Sequence, residues 1–125
     1  TIQQVLSSLG DVKLVKEEID IDRVTAISGS GPAYIFEFTC ALEEAGMKIG
    51  LTPELAKDLA IQTVIGAAKL MEQSDCKPEE LRNRVTSPNG TTQAALESFT
   101  KNQLRSIVAQ AAQAAHDRSI ELSNA

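Results

Sequence analysis

Apolar residues along this chain change rhythm near residue 20. Ahead of that point, Ile2 to Leu9 read as an amphipathic helix stopped by Gly10, and Val12-Lys13-Leu14-Val15-Lys16 alternates like a short strand. A lone strand leaves its amides and carbonyls unmatched. This piece is therefore expected to pair with a second copy of the chain or to be an edge of a neighbouring sheet domain. Beyond Asp22 the spacing is helical, which sets a domain boundary between Glu17 and Asp20. The chain opens at Thr1 without an initiator Met, so it reads as part of something longer or as a processed product.

Asp22 to Ile49 reads as one long helix with no charge between Arg23 and Glu37, a stretch that must be buried on nearly all sides. Ser28, Gly29, Ser30, Gly31 and Pro32 interrupt it. Pro32 is expected to kink the helix by leaving the Ser28 carbonyl unpaired, and each glycine costs about 1 kcal/mol relative to alanine in a helix interior. Close approach by another backbone would compensate, whether that backbone is a packed helix or its place is taken by a flat ligand. A second helix starts at Thr52-Pro53-Glu54 and runs to about Gln73, with no charge over Thr63 to Ala68. Such a middle asks for enclosure by more than one partner. Lys77-Pro78 opens a short third helix reaching Val85. After the turn Ser87 to Thr92 a two-turn helix reaches Phe99, and a last helix spans about Asn102 to Leu122.

The 125 residues suit a single domain able to bury roughly two-thirds of its unfolded surface. With three Phe, one Tyr and no Trp, the apolar content is mostly aliphatic, as in closely packed helices. A net charge of -5 and the lack of any Lys/Arg cluster argue against a nucleic-acid partner. Cys40 and Cys76 have no metal-ligand spacing and read as reduced thiols of a cytoplasmic protein, so no metal is expected. No run of apolar residues is long enough for a membrane span, and no signal pattern opens the chain.

Ser87-Pro88-Asn89-Gly90-Thr91-Thr92 is the segment with chemical promise. It is a tight turn leading into a helix start, and Asn89-Gly90 can take the positive-φ geometry of a sharp bend. The amides around Asn89, Gly90, Thr91 and Thr92 would then point outward at the positive end of a helix dipole, where a carboxylate or phosphate fits. The same residue types also serve merely to end one helix and cap the next. His116 lies on the last helix and is expected to be exposed or to face a partner. The pairs Glu43-Glu44 and Glu79-Glu80 read as a solvated face and a helix first turn.

The strings Val24 to Tyr34 (VTAISGSGPAY), Ala41 to Gly46, Gly66 to Lys69 and Val85 to Thr92 (VTSPNGTT), in this order and separation, resemble the C-terminal domain of pyrroline-5-carboxylate reductases over essentially the whole chain. The resemblance implies an all-α, interlocked helical bundle like the C-terminal domain of 6-phosphogluconate dehydrogenase. Residues 1–18 would be the leftover helix and strand of an N-terminal Rossmann domain, and 19–125 a dimerisation and substrate-binding domain. It implies NAD(P)H-dependent reduction of 1-pyrroline-5-carboxylate to L-proline, with NADPH or NADH held mainly by the preceding domain, and no activity from this chain by itself.

On the same resemblance Ser87, Asn89, Gly90, Thr91 and Thr92 hold the substrate, and Thr92 sits near the ring nitrogen as the catalytic residue. Ser28, Gly29, Ser30, Gly31 and Pro32 are candidates for packing on the nicotinamide side. The expected partner is a second copy in an obligate homodimer, which can build larger assemblies. Two positions depart from the family: Asn89 stands where many relatives have Gly, a mild change because Asn tolerates positive φ, and Thr100-Lys101-Asn102-Gln103 replaces a Gly-Gly turn. Two other readings stand beside this one: the helical domain of a related 6-phosphogluconate or β-hydroxyacid-type dehydrogenase, and a helical dimerisation module without catalysis.

Overall fold

The computed structural model describes all 125 residues and is all-helical, as the sequence led us to expect. The helices are α1 (Ile2–Ser7), α2 (Ile19–Val24), α3 (Gly31–Lys48), α4 (Pro53–Gln73), α5 (Pro78–Arg84), α6 (Thr91–Lys101) and α7 (Leu104–Ser123), with a π-helical turn at Thr25–Gly29. Two expectations fail. Residues 11–15 form no strand, because alternation yields a strand only where a second strand receives its backbone groups, and none is present. Nor is Asp22 to Ile49 a single kinked helix. The chain widens into the π turn, where the Ser30 amide bonds back to the Thr25 carbonyl at 2.8 Å, and restarts as α3 at Gly31. Pro32 thus falls in a first turn, where its missing N–H costs nothing.

Local signals set the other boundaries. Thr52 caps α4 by accepting the Leu55 amide at 3.3 Å, with Pro53 in the first turn. At the end of α3, Gly50 has φ +108, and the amides of Gly50 and Leu51 return to the carbonyls of Met47 and Gly46 at 3.1 and 3.0 Å. This left-handed cap reverses the chain into α4.

Two compact units emerge, Thr1–Gly31 with Ala112–Ala125 and Pro32–Ala111. In the first, the Ser119 hydroxyl donates to Asp22 Oδ1 at 2.6 Å, tying the end of α7 to α2, and Ala26 is 3% exposed. In the second, α3 and α4 meet through small residues. A Cβ at Gly46 would lie 3.1 Å from Ala56 Cβ and 3.3 Å from Leu51 Cδ1, and Ala56 and Ala60 are 2% and 3% exposed. Gly46→Val, which adds three carbons where even one is crowded, is expected to cost about 2 kcal/mol, read as a lower urea midpoint with an unchanged slope.

Nothing larger than alanine is buried. Phe36 on α3 is 69% exposed and Ile65 on α4 is 40% exposed, while Ile107, Val108 and Leu122 of α7 also face outward. Burial of each such side chain is worth about 1.5–3 kcal/mol, so the isolated chain leaves most of its hydrophobic stabilisation unrealised. No helix is long and apolar enough to cross a membrane.

The two-residue link from α6 to α7, Asn102 and Gln103, closes without glycine. Asn102 ends α6, and Gln103 takes φ +59 while its amide bonds to the Thr100 carbonyl at 3.1 Å and its carbonyl receives the Ile107 amide at 3.1 Å. Gln103 therefore ends one helix and opens the next in a conformation that disfavours a side chain. Gln103→Gly should raise stability by up to about 1 kcal/mol, seen as a higher melting temperature.

Candidate functional site

The turn preceding α6 is built from both sides. α5 ends with the amides of Val85 and Thr86 bonded to the carbonyls of Arg82 and Asn83, and the Thr86 hydroxyl donates to the Arg82 carbonyl at 2.6 Å. Ser87 to Gly90 then form a bend closed by the Gly90 amide on the Ser87 carbonyl at 3.1 Å, with Pro88 second and Asn89 third at φ +59. Proline followed by a positive-φ residue are the marks of a type II turn. Asn89 takes the left-handed conformation that the sequence reading allowed it. Gly90 does not: its φ is -89, and it is extended. Its lack of a side chain serves proximity instead, because a Cβ there would lie 3.2 Å from the Ser87 carbonyl oxygen.

Two of the four amides expected to point outward are occupied. That of Gly90 closes the turn, and that of Asn89 donates to Gln93 Oε1 at 2.7 Å. The remaining two, Thr91 and Thr92, are joined by Gln93. These three make no bond to the chain, since helical bonding starts with the Ala94 amide on the Gly90 carbonyl at 3.2 Å and no side chain caps α6. The hydroxyls of Ser87, Thr91 and Thr92 are likewise uncommitted within the chain. Thr92 is half-buried and Thr91 exposed. With no acidic residue in the first turn of α6, the positive end of its dipole stands uncancelled. The arrangement can accept an anion.

Gln93 and Glu97 were not singled out by sequence reasoning. Gln93 Nε2 donates to Glu97 Oε1 at 2.9 Å, so the two side chains run on from the Asn89 amide along one face of α6. The signal was available: a Gln at the third helical position commonly reaches back to cap a helix start. A groove of about 890 Å³ lies along α5, α6 and the start of α7, and Gln93, Glu97, Arg82 and Arg105 line it. Thr91 and Thr92 do not, so this groove is not the anion receptor.

In the segment Ser28 to Pro32, the Ser28 hydroxyl donates to the Val24 carbonyl at 3.1 Å. A Cβ at Gly31 would meet nothing within 4 Å, and one at Gly29 only Thr25 at ordinary distances. The chain's own packing therefore does not demand glycine at either place. His116 is half-buried, not freely exposed, with 24% of its side chain accessible; Nε2 is enclosed without a partner and Nδ1 lies 3.7 Å from Asp117 Oδ1. No group of three His, Cys, Asp or Glu side chains could hold a metal ion.

Residues 18–122 match the pyrroline-5-carboxylate reductase dimerisation family. The chain is 50% identical over 119 residues to a pyrroline-5-carboxylate reductase of Pseudomonas aeruginosa, covering 95% of this chain and 44% of that protein. It is 42% identical to pyrroline-5-carboxylate reductase 2 of Bacillus subtilis, over 94% of the chain and 42% of the relative. Among solved structures, a pyrroline-5-carboxylate reductase from Coxiella burnetii superposes with a TM-score of 0.92 at 40% identity, covering 97% of this chain and 45% of the other. A Plasmodium falciparum pyrroline carboxylate reductase with NADP bound gives 0.84 at 38% identity, over 94% and 45% of the two chains. The chain thus spans less than half the length of these relatives.

Proposed function

The chain belongs to the pyrroline-5-carboxylate reductase dimerisation family, and on that footing we propose that it is the dimerising, substrate-holding part of an NAD(P)H-dependent reductase converting 1-pyrroline-5-carboxylate to L-proline, the last step of proline synthesis. In this reading residues 1–18 are the end of a preceding Rossmann domain and 19–125 the helical domain.

The observation that carries the reading is the set of uncommitted amides at the start of α6, beside uncommitted hydroxyls and away from any first-turn acid. The reaction adds a hydride to the imine carbon while the ring nitrogen retains a proton. It needs no protein nucleophile, only a ring held in place with its iminium form favoured. The amides of Thr91 and Thr92 hold the substrate carboxylate, with the Ser87 hydroxyl at its side. The Thr92 hydroxyl faces the ring nitrogen and accepts its proton as a hydrogen bond, which favours the protonated ring. Asn89 and Gly90 contribute by shaping the bend, their own amides being occupied.

A dinucleotide does not fit the residues of this chain. A phosphate cradle needs a strand, a glycine turn and a helix within a βαβ unit, whereas Gly29 lies in a π turn and Gly31 opens a helix with no strand before it. NADPH or NADH, the former in line with the NADP of the Plasmodium relative, is assigned to the part of the protein that this chain does not span. Ser28 to Pro32 then offer a side-chain-poor surface to the nicotinamide side.

A second copy of the chain completes the reading, in a homodimer able to assemble further. Large apolar side chains outward on α3, α4 and α7 call for such a partner. The free thiols of Cys40 and Cys76 suit a reducing cytoplasm. The test is turnover by the full-length protein: loss of NADPH or NADH absorbance on adding 1-pyrroline-5-carboxylate, with L-proline as product. Absence of turnover with both cofactors overturns the reading.

A further inference from the structure

We propose that Gln93 and Glu97 act as a positioning pair which locks the bend at Asn89 and so aims the amides of Thr91 and Thr92 at the substrate carboxylate; this rests on the reading of the turn as the substrate holder. The Asn89 amide donates to Gln93 Oε1 at 2.7 Å, and Gln93 Nε2 donates to Glu97 Oε1 at 2.9 Å. An ionised carboxylate only accepts hydrogen bonds, so Glu97 fixes which end of the Gln93 amide turns toward it and leaves the oxygen facing the Asn89 N–H. In the usual cap of this kind, the third helical residue takes the amide of the residue before the helix. Here that amide, of Gly90, already closes the turn on Ser87, so Gln93 reaches one residue further back.

The choice of glutamine over glutamate matters for an anion site. Glutamate at the third helical position would satisfy the Asn89 amide as well, but it would set a full negative charge within the first turn of α6, against the incoming carboxylate. Gln93 gives the same restraint without the charge. Glu97 stands one turn further along, with Gln93 between it and the bend.

The test uses steady-state kinetics of the full-length protein with 1-pyrroline-5-carboxylate. Gln93→Leu removes both bonds at similar bulk and is expected to raise KM about tenfold while kcat stays within about twofold and the melting temperature holds. Gln93→Glu keeps the acceptor and is expected to raise KM at low ionic strength, with the effect shrinking toward the parent value as salt is added; the Leu variant shows no such salt dependence. A parent-like KM in Gln93→Leu, a fall in kcat alone that follows loss of folded protein, or a salt-independent KM in Gln93→Glu would each overturn the pair. If Thr92→Ala is also without effect, the substrate-holding turn itself is wrong; if Thr92→Ala is impaired while Gln93→Leu is silent, only the positioning pair falls.

Discussion

Thr92→Ala in the full-length protein is expected to lower kcat/KM for 1-pyrroline-5-carboxylate about 5- to 150-fold, the equivalent of roughly 1–3 kcal/mol for one polar contact left unmade in an enclosed site. The substitution is selective because the Thr92 amide survives it. The carboxylate keeps its backbone donors, and the loss falls on the ring nitrogen, so kcat declines along with kcat/KM instead of KM alone rising. Alanine is also the better helix former, and the Thr92 hydroxyl has no partner within the chain, so the melting temperature should not fall. Thr92→Ser, which restores the hydroxyl, should recover most of the rate. Unchanged turnover efficiency in the alanine variant would remove Thr92 from the mechanism.

Ile65→Asp is expected to abolish the dimer. Ile65 lies in the charge-free middle of α4, 40% exposed within its own chain, beside Gly66, where an added Cβ would meet open space. A two-fold interface repeats every substitution, so two buried carboxylates appear per dimer, each costing several kcal/mol when unpaired. Because the chain buries nothing larger than alanine by itself, separation should bring loss of helical circular dichroism at micromolar concentration and not a folded monomer. Light scattering that finds the Ile65→Asp protein as an intact dimer would take the middle of α4 out of the interface. A folded, monodisperse parent monomer would sink the homodimer altogether.

Features governed by neighbouring residues were legible from the sequence. Thr52-Pro53 and Lys77-Pro78 announced α4 and α5, because a cap and a first-turn proline act over three or four residues. The bend at Asn89 was legible for the same reason, as one of the few residue types at ease with positive φ. What depends on distant partners was not. Val12 to Val15 alternate like a strand, yet strand formation requires a neighbour that no local pattern can report. Pro32 looks like an interior kink in the sequence because the π turn before it, which moves it to a helix start, leaves no periodic trace. In the candidate site the amide count was the weak point: turn residues suggest free donors, but which are used internally depends on a side chain four residues on, that of Gln93.

Asn102 and Gln103 alone separate α6 from α7, and Gln103 bonds to both helices. Each residue of an α-helix advances the azimuth by about 100°. One residue gained or lost at this joint would therefore turn Ile107 and Val108, the outward apolar pair in the first turns of α7, by more than a quarter-revolution against α6. Length variation, harmless in most surface loops, is therefore expected to be costly at this corner, where exchange of residues leaves the angular phase intact.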